Sequence, residues 1–179
     1  MRGRKREDLE GRVGGRPRDG AGHAEGFQTS TERAIGRCRD PVLPESDICS
    51  TLEKEGWEAY KAEAGGRIVG GALVSVDAER GEGSLDTIYV ADGAQGRGIG
   101  RALWEAIESS HSEIALWRTC TPYFDKRNVH FYINVCGFHA VRFCNDHLRD
   151  PDGDAWEDGG LGEFFDFEKR VPPRARCED

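Results

Sequence analysis

The 179-residue chain has room for one domain with a substantial core, and 37% apolar against 32% charged residues point to a heavily hydrated surface. A formal net charge of −8 argues against nonspecific nucleic-acid binding and favours a cationic partner. No apolar run nears the ~20 residues of a membrane span and no hydrophobic signal core opens the chain, so no membrane partner is expected and the expected location is cytoplasmic.

Residues 1–40 carry 10 Lys/Arg and 7 Asp/Glu, leaving 15 against 26 for residues 41–179, so a basic start precedes an acidic remainder. This Arg/Gly-rich stretch lacks periodicity and reads as a disordered extension ahead of a domain at 41–171 and a tail at 172–179. Glu7, Asp8 and Glu10 set it apart from a mitochondrial presequence, and its acids dilute the basic residues that a nucleic-acid arm needs. Asp47–Tyr60 is compatible with a helix that turns Ile48, Leu52 and Trp57 inward, weakened by Gly56. Ala59–Ala64 and Arg67–Asp77 read as strands around the Gly65-Gly66 turn, and Gly83–Val90 as a third.

At Val90 the third strand runs into a glycine-rich turn. Gly96, Gly98 and Gly100 let the backbone turn with no side chain in the way, so that successive amides converge on an anion. The helix that follows adds the positive end of its dipole, and Ile99, Ala102, Leu103, Ala106 and Ile107 repeat at helical spacing to form its inner face. Gly-Arg-Ala at 100–102 stands where a Walker loop needs Gly-Lys-Ser or Gly-Lys-Thr, and G-x-G-x-G is a poor fit to the dinucleotide pattern G-x-G-x-x-G.

Ile114–Thr119 then reads as a strand parallel to the third, because a helix crosses between them. Phe131–Val135 reads as a short helix, with Asn128 suited to cap it and Gly137 to end it. His139–Asn145 and Glu163–Lys169 complete the strands, the latter packing through Phe164, Phe165 and Phe167, and Asp146–Gly162 is a long acidic loop containing Trp156. Six cysteines, at 38, 49, 120, 136, 144 and 177, follow no paired spacing and are expected to be reduced. Cys144 and His147 have no second pair at ligand spacing, so no metal is expected.

Two motifs carry a family resemblance. Val90 followed by Gln95-Gly96-Arg97-Gly98-Ile99-Gly100 resembles the acetyl-CoA signature of the GNAT N-acetyltransferase superfamily, Val-x-x-x-x-Gln/Arg-x-x-Gly-x-Gly/Ala. Asn128, Phe131-Tyr132 and Gly137-Phe138 resemble the N-x-x-F-Y-x-x-x-x-G-F element of the same superfamily. The resemblance spans about Tyr60 to Arg170 and implies an α/β (α+β) fold, with a mixed, mostly antiparallel central sheet, a splayed parallel strand pair and flanking helices.

It also implies transfer of an acetyl group from acetyl-CoA to a primary amine within a ternary complex, the amine belonging to a small molecule or a protein. On that reading the amides of Gln95, Gly96, Arg97, Gly98, Ile99 and Gly100 hold the diphosphate, with charge added by Arg97 and Arg101. Ile88, Tyr89 and Val90 lend backbone groups to the pantetheine arm, and Asn128 faces the thioester end. Tyr132 is the expected general acid for the departing thiolate, since a phenol near pKa 10 stays protonated at neutral pH. Asp86 is the expected base that deprotonates the amine, although a solvated strand carboxylate accounts for it equally well; Glu82 and His130 are poorer candidates.

The chain departs from the family at its beginning, where Phe27 to Pro44 gives only a faint version of the strand and helices that wall the acceptor pocket. A catalytically inactive or truncated GNAT-fold module that binds acyl-CoA as a sensor is the alternative function, and a nucleic-acid adaptor using the basic tail is a third. Many members of the superfamily pair, which leaves a homodimer open.

Overall fold

The computed structural model describes residues 51–145 and 163–172. The extension at 1–40, the acidic loop with Trp156 and residues 173–179 of the tail lie outside the described residues. Strands β1 (Trp57–Ala64), β2 (Arg67–Asp77), β3 (Glu82–Val90), β4 (Leu116–Pro122), β5 (His139–Cys144) and β6 (Phe164–Arg170) form a six-stranded sheet in the order β1-β2-β3-β4-β6-β5. Every neighbouring pair is antiparallel except β3 and β4. Among the described residues no helix is long and apolar enough to cross a membrane.

The helix expected over Asp47–Tyr60 is not what its second half forms. Thr51 and Leu52 are helical, but the chain turns at Gly56, whose φ of +81° and approach to the Val76 carbonyl exclude a side chain, and Trp57 pairs with Ser75 as β1 begins. The strand expected from Ile114 starts at Leu116 and runs on to Pro122.

The first helix, α1 (Ile99–Ser110), lies on one face of the sheet and buries Ile99, Leu103, Trp104 and Ile107. Ala102 is exposed and Ala106 half-buried, so Trp104 takes the place that spacing had given to the alanines. Gly70 makes the close seating possible, because a Cβ there would stand 2.9 Å from the Tyr89 carbonyl and 3.2 Å from Ile99 and Leu103. Trp104 packs edge-to-face on Trp117 with centroids 5.3 Å apart, and Phe138 and Phe167 close the same core.

The second helix begins as α2 (Lys126–His130) and continues as a π-helical turn, Phe131–Cys136. Asp125, not Asn128, is its cap: the Asn128 amide donates to Asp125 Oδ1 at 3.0 Å. Gly137 ends it in the left-handed region at φ +80°, as its position implied.

Candidate functional site

The parallel pair is joined for only three residues. Glu82–Ser84 of β3 faces Leu116–Arg118 of β4, and beyond that point no pairing links the two strands. At the parting, the Thr119 hydroxyl donates to the Leu85 carbonyl at 2.8 Å, so a side chain replaces the next ladder bond. A bulge follows immediately on β3: Leu73 faces Thr87 while Val74 faces Leu85, which leaves Asp86 as the extra residue.

The turn after Val90 is fixed from within. Ala91 N–H donates to the Val69 carbonyl at 2.9 Å, Ala94 N–H to the Ala91 carbonyl at 3.1 Å, and Gln95 Nε2 to the Val90 carbonyl at 3.1 Å. Gly96 and Gly98 then take φ of +74° and +83°, a region that side chains disfavour. Gly98 caps α1 with no side-chain hydrogen bond, and no acid stands in the first turn. The first amide bonded inside the helix is that of Ala102, to the Gly98 carbonyl at 2.9 Å. The amides of Ile99, Gly100 and Arg101 therefore precede any intrahelical acceptor, which makes this end of α1 a place for an anion.

A cavity of about 360 Å³ opens here, between the carboxyl ends of β3 and β4. Six of the residues singled out from sequence line it together: Ile88, Tyr89, Val90, Gln95, Gly100 and Asn128. On the opposite wall only Phe131, from the second motif, was named from sequence; Phe124, Asp125, Lys126 and Arg127 complete it. Its signal was two adjacent cations just ahead of Asn128 in an acidic chain. Phe131 joins the two motifs, because a Cβ on Gly100 would stand 3.0 Å from its ring.

The other predicted residues sit around the cavity rather than in its wall. Gly96, Arg97, Gly98 and Arg101 are exposed, and Ile99 is in the core. Tyr132 is only 3% exposed, with its ring among Phe131, Phe138 and Phe167. Burial pushes its phenol well above the ordinary value, and the Thr119 side chain beside it acts in the opposite direction. Asp86 keeps access to solvent, yet protein crowds its carboxyl enough for desolvation to raise its pKa, against the hydrogen bond that the Thr87 hydroxyl donates at 3.1 Å. Glu82 is held below its ordinary pKa by the hydrogen bond and charge of Arg118, 2.7 Å away, and His130 is exposed and paired with Asn134 at 3.0 Å. Among the described residues no three His, Cys, Asp or Glu side chains are grouped to hold a metal.

The model of the acetyltransferase (GNAT) family matches residues 27–138. The chain belongs to the GNAT acetyltransferase family. This GNAT chain is 38% identical to YrkN, an uncharacterized protein of Bacillus subtilis, over 128 residues that cover 71% of the chain and 69% of the relative. Solved structures share its fold at lower identity. A ribosomal-protein-S18-alanine N-acetyltransferase from Escherichia coli superposes with a TM-score of 0.68 at 15% identity, covering 93% of this chain and 97% of that one. A Bacillus subtilis acetyltransferase in complex with CoA gives 0.60 at 20% identity, covering 92% and 100%. The family match begins at residue 27, inside the stretch that composition assigned to the extension.

Proposed function

We propose that this GNAT protein is an N-acetyltransferase that moves the acetyl group of acetyl-CoA directly to a primary amine. The observation that carries the reading is the uncapped start of α1, which stands at a cavity between two parted parallel strands. The loop amides from Gln95 to Gly100 hold the diphosphate, and Arg97 and Arg101 add charge. The backbone of Ile88–Val90, which pairs with β2 on one side and lies past the end of the β3–β4 pairing on the other, receives the amide groups of the pantetheine arm.

In the transfer, Asp86 takes a proton from the acceptor ammonium, and the freed amine nitrogen attacks the thioester carbonyl carbon. A C–N bond forms as the C–S bond breaks, Tyr132 gives its phenolic proton to the departing thiolate, and the second proton shed by the new amide nitrogen passes to solvent, from which the phenol is restored. An ordinary phenol already keeps its proton at neutral pH, and burial makes this one hold it more tightly still. The acceptor is a cationic amine on a small molecule or a protein, in keeping with the net charge of −8.

One observation favours a second reading, a module that binds acyl-CoA without turning it over: the Tyr132 side chain lies in the core, outside the cavity wall. Release of free thiol from acetyl-CoA, measured against a panel of amines alongside calorimetric titration of CoA, separates the two. Amine-dependent thiol supports the transferase. CoA binding with no thiol from any amine supports the binding module, and no CoA binding removes both.

A further inference from the structure

The wall of the cavity opposite the glycine loop carries cations that the transfer step does not use. Lys61, Arg80, Arg118, Arg142, Lys169 and Arg170 each meet a carboxylate within 4.0 Å. Lys126 and Arg127 meet none among the described residues, yet both line the cavity and both are exposed. Asp125, the acid beside them in sequence, also lines the cavity, but its Oδ1 accepts from the Asn128 amide and it pairs with neither cation. Two unpaired cations converging on one cavity of an acidic protein mark a place for an anion of their own.

The diphosphate does not account for them, because the loop amides and the free end of α1 already meet it. The same wall presents Phe124, an aromatic side chain that is 40% exposed. An exposed ring next to two unpaired cations suits a purine that carries a further phosphate. We propose that Lys126 and Arg127 bind the 3′-phosphate of coenzyme A, with Phe124 as the face on which the adenine stacks, so that the protein selects coenzyme A over its 3′-dephospho form. The proposal rests on the coenzyme reading above and adds to it the group by which the coenzyme is told apart from other adenine nucleotides carrying a diphosphate.

Calorimetric titration of the full chain with CoA and with 3′-dephospho-CoA tests it. The native chain is expected to bind CoA on the order of tenfold more tightly, as loss of charge-assisted hydrogen bonds at an exposed site implies. The double variant Lys126→Ala, Arg127→Ala is expected to bind both at the affinity of the native chain for the dephospho form, which also reports that it is folded. Phe124→Ala is expected to weaken both ligands in the same proportion. Equal binding of the two ligands by the native chain overturns the proposal, and so does a double variant that keeps its preference or loses both ligands alike. Heat from neither ligand overturns the coenzyme reading itself, and this inference with it.

Discussion

Tyr132 is asked to satisfy two requirements that pull apart. Burial keeps its proton in place, while a general acid must reach the leaving sulfur. Tyr132→Phe removes the hydroxyl and leaves the ring contacts to Phe138 and Phe167, so the fold and CoA affinity are expected to stay unchanged. Steady-state thiol release is then expected to fall about 100-fold in kcat; an unchanged kcat would take the phenol out of the chemistry. Asp86 makes a prediction in pH. Its folded pKa lies above the unfolded one, so its contribution to stability is present at acid pH, below the unfolded value, and is lost as pH rises through the folded value. Asp86→Asn is therefore expected to melt higher than the native chain at neutral pH, with the difference shrinking as pH falls through the folded value and gone below about 4. If Asp86 is also the base, the acid limb of kcat/KM lies above the ordinary carboxylate range and vanishes in that variant. A melting difference without a change in the limb would leave Asp86 a bystander.

The elements owe their arrangement to a tight closure beside a deliberate opening. Gly83 lies under Trp117, where a Cβ would stand 2.6 Å from the indole, and Trp117 is fully buried against Trp104 and His111. Gly83→Ala is expected to cost about 1–3 kcal/mol in urea unfolding, because neither ring has room to retreat. Arg118 sits on the open face at the same point of the parallel pair, 47% exposed and bridged to Glu82. Arg118→Met is expected to cost less than about 1 kcal/mol, since solvent screens an exposed pair. Much of this layer was legible beforehand. The turn glycines, the apolar repeat of α1 and the crossover that makes β4 parallel to β3 depend on local chemistry and chain handedness. What misled was a choice between inward faces: Ala102 fits the repeat as well as Trp104, but the alanine carries little apolar area and the indole much, so the sheet takes Trp104. The start of α2 was placed late because Asp125 and Asn128 are both good caps, and only the backbone shows which one accepts.

At the scale of the molecule, charge is sorted rather than merely negative. The total of −8 is plain in the sequence, but which cations remain unpaired is not, because pairs such as Arg142 with Asp166 and Lys169 with Glu108 join distant parts of the chain through the topology. Of the six Lys/Arg left unpaired among the described residues, Arg97, Arg101, Lys126 and Arg127 belong to the loop, the first turn of α1 and the cavity wall, so positive charge collects where the phosphates are proposed to lie. On the proposed function, the acidic remainder of the surface attracts the cationic acceptor. Such attraction acts on encounter, not on the bonds that change, and salt screens it once the Debye length falls from ~30 Å at 0.01 M to ~3 Å at 1 M. Across that range kcat/KM for a monoamine acceptor is expected to fall on the order of tenfold, with kcat at saturating amine unchanged. A diamine, with twice the charge, is expected to show the steeper dependence. Identical dependences for the two acceptors, or none for either, would mean that the acidic surface plays no part in gathering substrate.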